Sequence, residues 1–329
     1  MPSKLYYGWV IVAVAVLMNV VASPTNAVVF SFFIGPMSED LGWSRSTLSW
    51  VLTFRLFAAG ATAPFLGAMV DRYGARWLGA AAGVISGGTL IGFAFTHHVW
   101  YLYLLAAVSG MGGFGGPGGA LLTVVPVAKW FRAKRGRALA IATVGMPGGT
   151  VLGIPVAQWL IGAIGWRDAW IVFGVIVMAV VVPLCVLFVR RAPEDLGLSV
   201  DGVPGGVTVS AASSARSARL ATTVDWTSGQ AIRTPAFWMI LGGLAVSGLA
   251  LNGALVHRVA FWGEVGMSPA LVALGTAMDP FTVIFSALVF GAIAERVKTR
   301  HLGLVAGGGW GLSMLPMIFA TNHAGSILA

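Results

Sequence analysis

Nine stretches of this chain are apolar, near 8–34, 46–68, 77–96, 100–126, 138–164, 168–189, 236–257, 269–291 and 302–321. Each reaches about 20 residues, the helical length that crosses a hydrocarbon core of roughly 30 Å. Lipid offers no water to peptide groups, so a stretch that enters it must be helical. Composition agrees. Charged residues are 9% of the chain and apolar residues 57%, whereas a soluble domain has about a quarter of its residues charged. Most of the surface must therefore face lipid. The first apolar run has no cleavage-like end and reads as a span, not a signal peptide.

Part of this pattern occurs twice. Gly67-Ala-Met-Val-Asp71-Arg72-Tyr-Gly74-Ala-Arg76 follows one apolar run, and Gly291-Ala-Ile-Ala-Glu295-Arg296-Val-Lys-Thr-Arg300 follows another at an offset of 224 residues. The same offset superposes Gly42 on Gly266, Ser44 on Ser268, Leu78 on Leu302, Gly79 on Gly303, Gly83 on Gly307 and Gly87 on Gly311. A duplicated membrane unit is the usual architecture of transporters. The expected organisation is a six-helix half over 1–190, a polar linker over 191–235 and a partial, three-helix half over 236–329. Val203 to Thr223 is rich in Ser, Ala, Gly and Thr, as flexible linkers are. Under the offset Ala329 falls early in the fourth helix of the second copy, so three helices are expected to be missing.

Basic residues set the orientation. With a cytosolic N-terminus, 16 of the 20 Lys and Arg lie on one side, and only Arg45, Arg167 and Arg258 on the other. That asymmetry predicts a multi-pass protein of the cytoplasmic (inner) membrane with its N-terminus in the cytosol. It also explains the net charge of +9 without nucleic acid. Lys129 to Arg137 reads as a topology signal and a contact for anionic lipid. Gly110-x-Gly112-x-x-Gly115 matches a dinucleotide fingerprint in form, but lacks the preceding strand and the acid about 20 residues on, so close helix packing is the better reading. No cofactor and no metal are expected; His97-His98 has no further ligands beside it. A membrane enzyme is disfavoured because no intramembrane His/Glu or Ser/His set occurs.

The loop after the second span resembles the signature of the major facilitator superfamily, with Gly67, Asp71, Arg72, Gly74 and Arg76 in place and only the basic residue usual at Ala75 absent. Leu41-Gly42-Trp43-Ser44-Arg45, Trp130-Phe131 with Lys134-Arg135-Gly136, Gly165-Trp166-Arg167, Pro193-Glu194-Asp195 with Gly197, and Ala231-Ile-Arg233 with Phe237-Trp238 are similar to the bacterial monocarboxylate-transporter and oxalate/formate-antiporter branch. The resemblance implies an all-α membrane protein of the major facilitator type, a helical bundle with a complete N-terminal half and a partial C-terminal one. It implies a secondary active transporter of a small organic anion, working by alternating access, with a proton as candidate co-substrate. The second reading is a truncated, transport-inactive or regulatory membrane protein that requires a partner. Oligomeric state is not indicated. In the implied geometry Asp71 would meet a helix this chain lacks and be orphaned. Glu295 would meet the start of the fifth span near Gly136 and Arg137.

Gly67, Asp71, Arg72, Gly74, Arg76, Gly291, Glu295, Arg296 and Arg300 are thus the candidate gating residues. Arg72 and Arg76 would share one region if the helix continued between them. Arg55 and Asp279 are charges inside spans and correspond under the offset. Arg55 attracts an anionic substrate, Asp279 carries a proton, or the two pair as an outer gate; the bland alternatives are snorkelling for Arg55 and a protonated, helix-bonded Asp279. Asn19, Ser23 and Asn26 recur on one face of the first span and either line a cavity or bond neighbouring helices. Asn252 has the same two readings. The branch's carboxylate-binding arginine falls at Ala287, and its span 1 lysine is replaced by Pro24-Thr25-Asn26, which puts a lactate-type proton symporter in doubt.

Overall fold

The computed structural model describes residues 6–112, 114, 117–190, 192–202, 228–264, 266, 269–294, 297, 301–305, 307–309 and 312. Among them every regular element is helical. The chain forms two compact units, one of residues 1–205 with 280–296 and one of residues 206–279 with 297–329.

The first unit begins with a crossing in two pieces. Helix α1 (Tyr7–Val21) gives way to a single 3₁₀ turn at Ser23–Thr25, and α2 (Ala27–Leu41) continues. Pro24 has no N–H to extend α1, and Asn26 restarts the helix by accepting the Val28 N–H at 3.1 Å. Helix α3 (Arg45–Tyr73) is capped by Ser44, which accepts the Thr47 N–H at 3.1 Å. Gly74 alone separates it from α4 (Ala75–Ala94). The fourth crossing is again in two pieces, α5 (Val99–Gly112) and α6 (Pro117–Trp130), with Pro117 at the helix start where its missing N–H is harmless. Helical hydrogen bonding then runs from Arg135 to Phe188, 54 residues. A straight helix of that length would reach about 80 Å, far beyond one bilayer crossing. Gly165 breaks it with φ 83° and ψ 165°, giving α7 (135–164) and α8 (166–188). Gly74 has nearly the same angles, φ 80° and ψ 159°. Both sit in a region that only glycine occupies without strain.

Small residues hold these helices together, as membrane packing requires. A methyl placed on Gly149 of α7 would come within 2.8 Å of the Val20 backbone on α1, and one on Gly83 of α4 within 3.0 Å of Val181 on α8. Between α2, α4 and α8 lies an aromatic core in which Phe33 stacks on Trp170 at 3.8 Å between ring centres, with Phe30, Phe93 and Phe173 around them. At one end Asp40, at the close of α2, pairs with Arg167, whose guanidinium lies 4.2 Å above the Trp166 ring. The opposite end is the basic one. The outside of the unit is apolar: Phe57 is 79% exposed and Trp100 78%. That inversion of the soluble pattern fits a lipid-facing surface.

In the second unit a short α9 (Ser228–Ile232) precedes α10 (Pro235–Glu264). The Trp238 indole N–H donates to the Ile232 carbonyl at 2.8 Å and ties the two together. Helix α11 (Pro269–Ala294) starts in this unit and passes into the first at Pro280. Its first residue lies 224 positions after that of α3. Gly42 and Gly266, which correspond under the same offset, both have positive φ, 67° and 85°. The approach to the two helices thus shares a helix start and a positive-φ glycine. The ninth apolar run and the linker over 203–227 lie mostly outside the described residues.

Candidate functional site

Arg55 lies within α3 and is 8% exposed. Its Nη1 donates to the Thr25 carbonyl, in the turn where the first crossing breaks. On its other side Gly110, near the end of α5, lies so close to the Arg55 carbonyl that no larger residue would fit. Just beyond, Phe114 donates its backbone N–H to Ser86 of α4 at 2.9 Å. The break in the first crossing therefore meets the Arg55 guanidinium, and the fourth crossing packs on the Arg55 backbone. Among the described residues of its unit no carboxylate pairs with Arg55. A guanidinium has five N–H donors in a planar fork, and a charge buried without a counter-ion is costly. The arrangement suits a carboxylate, which can take two of those donors at once.

The polar residues of the first crossing line the same break. Asn19 donates to the Ala142 carbonyl of α7 at 3.3 Å, and Asn26 donates to the Thr150 hydroxyl at 3.2 Å. Ser23 is buried, and its hydroxyl oxygen would lie 2.8 Å from a methyl at Gly153. All three thus face α7 and stitch the seam between the first and fifth crossings. Asp279 is half-buried next to Pro280 in α11. Asn252 belongs to α10, where its side chain lies outside the described residues.

At the basic end the motif is divided between two helices. Arg72 ends α3 and Arg76 begins α4, because Gly74 stops the helix. The expected single helical face for the two arginines is therefore not formed. Each arginine lies over its neighbour's ring, Arg72 at 5.3 Å from Tyr73 and Arg76 at 5.2 Å from Trp77. Asp71, expected to be orphaned, has a partner in Lys129 of α6 at 3.7 Å. Lys129 stands in the last turn of α6, a relation that spacing alone does not reveal. Gly67 faces open space among the described residues, whereas Gly291 is buried directly against Gly136 and Ala140 at the start of α7. Glu295, Arg296 and Arg300 lie outside the described residues.

Sequence reasoning missed Thr25 as the partner of Arg55, and Asp40 and Arg167 as a pair. Pro24 signalled the break but not Thr25, because the carbonyl that a proline frees lies one turn before it.

Known proteins resemble this chain along about half of its length or a little more. A family model for the Major Facilitator Superfamily matches residues 11–329. Monocarboxylate transporter 14 of Homo sapiens is 28% identical over 189 residues, 55% of this chain and 36% of the relative. An uncharacterized MFS-type transporter of Bacillus subtilis, YcxA, is 26% identical over 165 residues, 50% of this chain and 40% of the relative. A multidrug resistance protein B homolog of Mycobacterium tuberculosis is 26% identical over 198 residues, 58% and 35% respectively. The matched stretches thus span 35 to 40% of the length of these curated relatives.

Proposed function

This chain belongs to the major facilitator superfamily, a family of multi-pass membrane transporters, not enzymes, and on that premise we propose that it is a secondary active transporter of a small organic anion of the monocarboxylate kind. The cargo crosses the cytoplasmic membrane by alternating access, with the N-terminus in the cytosol. Arg55 is the observation that carries the reading. A buried cation whose sole described partner is a backbone carbonyl retains donors for an incoming carboxylate. The Thr25 carbonyl occupies part of the fork. A carboxylate that enters displaces it or takes the remaining donors, and neutralises the charge in a medium where an ion pair is strong. Asp279 is the candidate proton carrier, and the monocarboxylate transporters among the relatives support the substrate class.

Uptake of radiolabelled formate, oxalate and lactate into proteoliposomes tests this. Saturable uptake of at least one is expected. Arg55→Ala should lower kcat/KM by about 100-fold, the loss of a charge-assisted bidentate contact, and Arg55→Lys should retain part of it. Full uptake in Arg55→Ala would remove Arg55 from the site. Transport of uncharged or cationic drugs with no carboxylate uptake would align the chain with its relative named for multidrug resistance. No transport of any probe would favour the inactive or regulatory reading.

A further inference from the structure

The segment after α8 is folded, and it is bonded to the basic end of its own bundle. Asp195 accepts the Ala192 N–H at 3.3 Å, Gly197 donates to Glu194 at 3.0 Å and Leu198 donates to Pro193 at 3.0 Å, so residues 192–198 close on themselves. Pro193 is buried. Two contacts then fix the strand of chain that follows. The Tyr6 hydroxyl lies 2.9 Å from the Trp130 carbonyl and 3.2 Å from the Ser199 carbonyl and is shared between them. Its ring meets Phe131 edge-on at 5.6 Å. Asp201, at φ 63°, turns its carboxylate onto the loop between α6 and α7. One oxygen accepts the Ala133 N–H at 2.8 Å, and both lie 3.1 Å from the Arg132 nitrogen. Asp is among the few residues that adopt this left-handed conformation readily, and Gly202 follows it. Lys129, Arg132, Lys134, Arg135 and Arg137 surround the loop in sequence, and their field favours a negative charge there.

We infer that the two N–H groups of Arg132 and Ala133 form a carboxylate-binding nest, and that Asp201 fills it to dock the start of the inter-half linker on the base of the first, fourth and fifth crossings. Successive backbone N–H groups before a helix bind anions in this way. Here the bound anion is visible, and it belongs to the chain itself. The docking moves the effective start of the linker from the end of α8 to Gly202. It also ties that point to the loop between α6 and α7, so a displacement of the loop carries the linker with it.

Hydrogen exchange on the whole chain in lipid nanodiscs tests the nest without any substrate. In Asp201→Ala the amides of Arg132 and Ala133 should exchange at least about tenfold faster than in the parent, as expected when a charge-assisted acceptor is removed. Asp201→Asn keeps one acceptor oxygen and should fall between. Glu194→Ala removes a charge from the same segment without touching the nest and should leave these amides unchanged. Equal exchange in Asp201→Ala and the parent, or an equal gain in Glu194→Ala, would overturn the inference.

Discussion

Two glycines of one motif make opposite demands on a side chain. Gly74 sits at φ 80° and ψ 159°, where a Cβ is strained by about 1–3 kcal/mol. Gly67 lies within α3 with nothing within 4 Å of the position a methyl would take. There alanine gains about 1 kcal/mol of helix propensity over glycine. Gly74→Ala is therefore expected to lower the melting temperature of the detergent-solubilised protein, and Gly67→Ala to leave it unchanged or raise it. A fall of similar size in both would mean that Gly67 is packed in solution. The turn at Gly74 was legible because glycine between two apolar runs is a local signal. Asp71 was legible as a residue of interest but not as the partner of Lys129. That pairing depends on α6 ending beside α3, a tertiary relation spanning 58 positions (from 71 to 129). Arg55 was legible as a buried charge, since every charge within a span demands an explanation; its neighbour at Thr25 was not.

Among helices, the informative contrast is between prolines. Pro24, Pro64, Pro117, Pro126, Pro147 and Pro155 all fall inside apolar runs and read alike as bends. Pro24 lies in a break and Pro117 begins a helix, while Pro64, Pro126, Pro147 and Pro155 remain within continuous helices. A proline frees a carbonyl one turn back, and the outcome turns on what satisfies it, which local pattern does not contain. At the first break Arg55 donates to the Thr25 carbonyl and Asn26 caps the helix that restarts. Asn26 works twice, as the cap of α2 and as a donor to Thr150. Asn26→Ala should therefore cost at least the roughly 1 kcal/mol of a lost cap. Asn26→Asp or Asn26→Ser, which still cap, should recover most of it in the same thermal assay. Equal losses in all three would assign the cost to the Thr150 bond instead. The seam of Gly145, Gly149 and Gly153 against α1 follows the small-residue rule for membrane helices. The glycines were visible in the chain; the helix they face was not.

For the molecule as a whole, the segregation of Lys and Arg to one end predicts which end meets the cytosol. Cys185 is the single native thiol and is buried, so a lone introduced cysteine reports cleanly. Glu39→Cys, on the exposed close of α2, should react with an impermeant maleimide on intact cells. Arg132→Cys, exposed at the basic end, should react only after permeabilisation. The reverse pattern would invert the assigned topology. The nine apolar runs established an all-helical membrane fold and the twin motif its family, because both depend on solvent and on local spacing. One consequence of the one-residue turns at Gly74 and Gly165 concerns biosynthesis. A chain emerging from the ribosome has no loop there to wait in water while the next helix is made. The second and third crossings, and the fifth and sixth, are therefore expected to enter the bilayer as closed hairpins, two at a time.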